Sequence, residues 1–436
     1  MGTTANTMQT SRTRTNRLGK FMRTIFISLG YILAALLVLA LGLPIILLPL
    51  STPVPPWIWI PLGIAHIALI VAILRLRTWK VIVTGIAGML LIAVLAVVIS
   101  QALAFTPPIT DANGNPLPNS IALLEKVDLN GSEQWISIRG RDVNRPVLLF
   151  LAGGPGGSQL VTARRALGGL EEHFVVVNWE QPGAGKSFDA VNRQQLSPER
   201  YVTDGIALVN HLRERFGEEK VYLLGESWGS ALGVWMVQRN PELFHAFIGT
   251  GQMVAFLEND LMCYEFVLDL LEERGNLEKL EQLRKQGPPP YYGKGVAMKE
   301  AAFLMETFNY MNADPNIADD GFNTFQDLAG SEYGLYDKAS WFRGALETMD
   351  AVYPQLWDVD FRVQATQFEV PVYFLLGRHD VNAPPVLAED YFELLNAPHK
   401  ELIWFERSGH NPWVTESAAF VDAVVNKVLA ETYPGK

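Results

Sequence analysis

Apolar positions fall into two regimes along the chain. From about residue 24 to residue 105 they run almost unbroken; beyond that they come in short bursts separated by amphipathic stretches. Three early runs, about 24–50, 56–76 and 81–105, each hold the roughly twenty apolar residues that a helix needs to span hydrocarbon. Trp57, Trp59 and Trp79 stand at segment ends, where aromatic residues meet the bilayer interface. Residues 1–106 are therefore expected to form a membrane anchor of three transmembrane helices. His66, inside the second run, is read as a tolerated polar residue. Residues 107–119, "PPITDANGNPLPN", have the Pro, Asn and Gly content of a linker.

From residue 120 the pattern predicts an α/β domain with a mostly parallel sheet. "PVLLFLA", "HFVVVNW", "VYLL", "LFHAFIGT", "VPVYFLLG" and "ELIWFE" read as strands. Between them, Val202, Ile206, Val209, Leu212 and Phe216 mark one apolar helical stripe. A long helical insertion, about 252–367, separates "LFHAFIGT" from "VPVYFLLG" and suggests a cap.

Charge sharpens the division. Eight of the 35 lysines and arginines precede residue 107 and none of the 46 acids does, so the formal charge is +8 before that point and −19 after it. An acidic domain argues against a nucleic-acid partner. Arg12, Arg14, Arg17, Lys20 and Arg23 flank the first run, and Arg75, Arg77 and Lys80 separate the second from the third. Positive loops stay in the cytoplasm, so the N-terminus is expected inside and the α/β domain outside a multi-pass cell-membrane anchor. Ala102 and Ala104 resemble a signal-peptidase site, but two spans precede them and the apolar run is too long for a signal. With Cys263 alone, no intrachain disulfide or cysteine-based zinc site can form.

The candidate chemistry sits at strand ends. "VYLLGESWGSALGVW" joins a strand to a helix through Gly-x-Ser-x-Gly, a turn that lifts Ser227 above the sheet edge. Asp380 in "GRHD" and His410 in "RSGHNPW" follow two later strands, giving the order Ser, acid, His. His410 would take the proton of Ser227 and Asp380 would hold the imidazole. His379 is the rival base. An oxyanion would meet the Trp228 N–H and one from "AGGPGG", with Gly154 preferred and Gly153 the alternative. That loop lacks the Lys-Ser/Thr ending of a phosphate-binding loop. Glu226 is expected to be a buried, hydrogen-bonded structural acid, and each of the cap acids Glu258, Asp260, Glu265, Glu300 and Glu306 a solvated helix residue.

These motifs resemble the proline iminopeptidase branch of the α/β-hydrolases. That family carries HGGPG, D-Q-R-G-x-G-x-S and G-x-S-W-G segments with late Asp and His motifs. Here they read "AGGPG" (152–156), "EQPGAGKS" (180–187), "GESWG" (225–229), "GRHD" (377–380) and "SGH" (408–410). The resemblance covers residue 120 to the end and departs at Ala152, Glu180 and Pro182. It implies an α/β-hydrolase fold with a helical cap, no metal or organic cofactor, and an aminopeptidase acting on small peptides, with cap acids holding the substrate's amino group. An esterase or lipase on acyl esters uses the same chemistry. A membrane receptor with a hydrolase fold and no turnover is the alternative of another class.

Overall fold

A computed structural model describes residues 4–317 and 323–433. The chain divides into two compact units, residues 1–103 and 104–436. The first unit has three helices: α1 (Thr4–Ser51), α2 (Pro56–Leu76) and α3 (Trp79–Ala102). Ser28–Ser51, Pro56–Leu76 and Trp79–Ala102 are long and apolar enough to cross a membrane. The third ends three residues before the predicted boundary. Thr78 caps α3 by accepting from the Val81 N–H. Small residues let the helices approach: a Cβ at Gly85 would meet Ile73 Cδ1 at 2.6 Å, and one at Gly88 would meet Leu69 Cδ1 at 2.8 Å. His66 is buried beside Gly42 of α1.

The second unit is built on an eight-stranded sheet in the order β1-β2-β4-β3-β5-β6-β7-β8. The strands are β1 (Ile121–Leu129), β2 (Ser132–Gly140), β3 (Val147–Leu151), β4 (Val175–Glu180), β5 (Val221–Glu226), β6 (Phe244–Thr250), β7 (Val372–Gly377) and β8 (Lys400–Phe405). β2 runs antiparallel to β1 and β4, and every other pairing is parallel. The apolar bursts at 147–151, 175–179 and 221–224 are buried on both faces, as parallel strands between helical layers must be. Along β3 the side chains alternate: Val147, Leu149 and Leu151 join one core, Leu148 and Phe150 the other. The β1–β2 hairpin turns at Asn130 and Gly131, both at positive φ, the chemistry of a tight hairpin.

Helices α4 (Leu160–Ala166), α5 (Pro198–Phe216) and α6 (Trp228–Arg239) connect the central strands. α5 starts at Ser197, whose hydroxyl accepts from the Arg200 N–H, and stops at Gly217 with φ 68°. Between β6 and β7 the cap contributes α7 (Phe256–Glu273), α8 (Leu277–Gln286), α9 (Val296–Ala313), α10 (Thr324–Leu328), α11 (Leu335–Arg343), α12 (Met349–Val352) and α13 (Phe361–Gln364). Among the described residues α14 (Pro385–Leu394), α15 (Pro412–Thr415), α16 (Ser417–Ala423) and α17 (Ala430–Thr432) follow.

The expected linker is strapped to the second unit rather than free. Arg139, held by Glu171 at 2.6 Å, donates to Thr106 Oγ1 and the Pro107 carbonyl, and Ile109 is buried. Its Pro and Asn content shapes a local turn, with Thr110 bridged to Pro116.

Candidate active site

β5 ends at Glu226 and α6 begins at Trp228, so Ser227 alone makes the corner, at φ 53° and ψ −121°. A non-glycine residue there is strained, and its neighbours must yield space. A Cβ at Gly225 would lie 2.3 Å from the Gly229 carbonyl, and one at Gly229 would lie 2.1 Å from that of Leu151. From Val221 to Val234 every residue is buried except Ser227. The corner raises one hydroxyl into a cavity at the first turn of α6.

Asp380 lies in the turn after β7. Its Oδ1 accepts from the Asn382 and Ala383 N–H groups, both at 2.8 Å, and its Oδ2 is 2.8 Å from His410 Nδ1. That bond orients the ring, which is buried after β8. Gly251, at φ 50°, lets it approach, since a Cβ there would sit 2.7 Å from His410 Cε1. Burial alone would push the imidazole pKa down; the Asp380 charge and hydrogen bond, with help from Glu226, outweigh it and raise the value above the ordinary one. His379, the rival base, is half-buried and meets the Glu406 carbonyl at 3.1 Å, outside the cavity.

Ser227, Trp228, Gly153, Gly154 and His410 all line one cavity of about 540 Å³. Gly154 holds φ 141°, and a Cβ would lie 2.6 Å from the Gly157 nitrogen. The Gly153 N–H turns instead toward Gln159 Oε1 at 3.4 Å, and it also favours the ionised Glu226. Gly154 is thus the freer donor of the two. Gln181 ties this loop to α6, donating to the Ala152 carbonyl and accepting from Trp228 Nε1, each at 2.9 Å. Sequence reasoning passed over Gln181, although it sits in the second motif.

The cap acids divide. Glu258 and Glu265 are exposed and Glu306 is half-buried against Lys279, as solvated helix residues should be. Asp260 and Glu300 are 0% and 1% exposed, contrary to expectation. Asp260 lines the cavity and accepts from Tyr353 at 2.9 Å and Asn259 at 3.1 Å. Burial pushes both carboxyls up, and the Asp260 charge pushes Glu300 further. Like charges this close oppose each other's ionisation, so the pair resists carrying two negative charges. The signal lay in the helical period: Asp260 shares a face of α7 with buried Cys263, Tyr264, Val267 and Leu271. The remaining wall is largely apolar, with Leu304, Phe308, Trp341 and Met349 prominent.

Residues 146–285 match the family described as alpha/beta hydrolase fold. The second unit has the α/β-hydrolase fold. Among relatives of this hydrolase, a probable aminopeptidase (YbaC) of Bacillus subtilis is 28% identical over 314 residues, covering 71% of this chain and 97% of the relative. A proline iminopeptidase-related protein of Thermus thermophilus superposes with a TM-score of 0.50 at 22% identity, covering 72% of this chain and 99% of that one. VinJ superposes at 0.53 and 18% identity, covering 70% and 98%. At such identities the structural likenesses speak for the fold.

Proposed function

We propose that this hydrolase is a membrane-anchored serine aminopeptidase, with Ser227 as nucleophile, His410 as base and then acid, and Asp380 as its orienting partner. Ser227 Oγ attacks the carbonyl carbon while its proton passes to His410 Nε2. The oxyanion is received by the Trp228 and Gly154 N–H groups. His410 then protonates the leaving amine, and water, activated by the same imidazole, releases the acyl group from Ser227. The anchor holds the enzyme in the cytoplasmic membrane with its N-terminus inside and the hydrolase domain outside.

The observation that carries the aminopeptidase reading is buried Asp260 on the cavity wall, coupled to Glu300, which is buried outside the lining. A buried anion with no cation beside it is costly, and a substrate's α-ammonium group supplies the missing charge. The similarity to a probable aminopeptidase points the same way. The cavity, about 540 Å³ under a cap, suits a small peptide's end.

Aminoacyl-naphthylamides compared with their N-acetylated forms test this reading. Free amines are expected to turn over with kcat/KM at least about a hundredfold higher, the scale of one desolvated charge pair. Asp260→Asn should raise KM for the free amine about tenfold and leave the blocked substrate unchanged. Indifference to acetylation would remove the aminopeptidase assignment and favour an acyl-ester substrate.

A further inference from the structure

Glu226 immediately precedes the proposed nucleophile and is 3% exposed. Its Oε2 accepts from Gln159 Nε2 at 3.0 Å. Its Oε1 lies 3.7 Å from His410 Nε2, beyond hydrogen-bond reach yet within close electrostatic range. Asp380 meets the opposite ring nitrogen at 2.8 Å. The imidazole therefore stands between two buried carboxyls, one on each nitrogen. Placing Glu226 there demands a concession from the neighbouring loop: a Cβ at Gly153 would fall 2.3 Å from Glu226 Oε2. The family motif resembled here names no acid at this position, and no step written above uses one.

We propose that Glu226 is a positioning residue for His410, stabilising the imidazolium that forms as the Ser227 proton arrives on Nε2. In that step the Oγ–H bond breaks, an Nε2–H bond forms, and the positive charge created on the ring lies between Asp380 and Glu226. The inference rests on the serine-hydrolase reading and is indifferent to whether the substrate is a peptide or an ester. Among the described residues, the acids whose charge acts on His410 are Asp380 and Glu226, with the uncharged Phe308 ring on the cap side. The Glu226 carboxyl itself stands above its ordinary value: burial, the largest influence, and Asp380 favour its neutral form, while His410, Gln159 and Gly153 favour the carboxylate. Each member of the pair thus favours the charged state of the other, so the carboxylate counts most when the ring becomes a cation.

The rate of fluorophosphonate labelling of the full-length protein, followed against pH, reads the imidazole directly and needs no identified substrate. Labelling falls as pH drops through the His410 pKa, because only the neutral ring accepts the proton. Glu226→Gln removes a neighbour that raises that pKa, so its acid limb is expected about one pH unit lower. The weaker base also slows the plateau rate, by about threefold to tenfold. Glu226→Asp, which keeps the charge and loses one methylene, should return the limb to within about 0.3 units of wild type. On a small activated ester, Glu226→Gln should lower kcat at unchanged KM. An unmoved limb with a plateau within about twofold of wild type, in a variant melting like wild type, would reduce Glu226 to a packing residue. If Glu226→Gln does not fold, a limb in Glu226→Asp displaced as far as one pH unit would overturn the proposal. Absence of labelling in the wild type would instead sink the serine-hydrolase reading itself.

Discussion

Glu180 stands where the resembled family has aspartate, at the end of β4, and is 1% exposed. Burial pushes its carboxyl up to about 7, although Ser158 and the Lys186 N–H stabilise the anion. An acid whose folded pKa lies above its unfolded value binds more protons when folded, so stability declines as pH rises between the two. The window runs from about 4.5 to about 7 and is worth about 3 kcal/mol. Glu180→Gln keeps the shape and removes the titration. Chemical denaturation of the variant across pH 4.5–8 is expected to show a flatter profile than wild type, with the variant gaining stability toward pH 8. Parallel profiles would contradict the assignment. Single residues were unevenly legible in the sequence. Ser227, Asp380 and His410 could be placed because each follows a strand, a position fixed by the local apolar pattern. The contact between Glu226 and His410 could not be foreseen, since it depends on how a loop at Gly153 packs against side chains 184 positions apart in the chain.

At the scale of elements, the cap is fastened to the motif loops by buried polar contacts. Lys186 Nζ meets Asp337 Oδ2 of α11 at 2.7 Å with both side chains almost fully buried, and the Lys186 ammonium also lies over the Trp135 ring. Trp341 Nε1 donates to the Ser158 carbonyl at 3.1 Å, and Thr348 Oγ1 to that of Gly183 at 2.7 Å. Removing one partner of a buried pair strands the other charge away from water, at a cost of about 3–5 kcal/mol, whereas an exposed pair contributes about 0–1 kcal/mol. Asp337→Asn should therefore lower Tm markedly and speed proteolytic cutting within residues 256–364. Glu347→Gln, which breaks the half-exposed pair with Arg343, should change neither. Equal effects of the two substitutions would refute the latch. The sequence located this cap between β6 and β7 by its long helical insertion, but not its attachments, which join residues about 150 positions apart. It also left the β1–β2 hairpin unassigned, although Asn130–Gly131 between alternating strands was there to read.

At the scale of the whole molecule, the charge division makes a prediction about membranes. The acidic part, −19 after residue 106, is repelled by anionic headgroups, and salt at 0.15 M screens attraction beyond about 8 Å. Peripheral adhesion of that part is thus disfavoured, whereas three helices are long and apolar enough to cross a membrane. The chain should remain with membranes through a 1 M salt wash and leave only with detergent; release by salt would argue against spanning helices. Orientation follows from the eight cations around the apolar runs. Five precede the first span and three lie between the second and third, whereas the "STPVPP" loop carries none. With three crossings, the proposed orientation puts the hydrolase domain on the side opposite the cationic N-terminal segment. Protease added outside spheroplasts is expected to remove a C-terminal tag and spare an N-terminal one. Protection of the C-terminal tag until the membrane is permeabilised would reverse that orientation, and with it the compartment from which the enzyme draws its substrate.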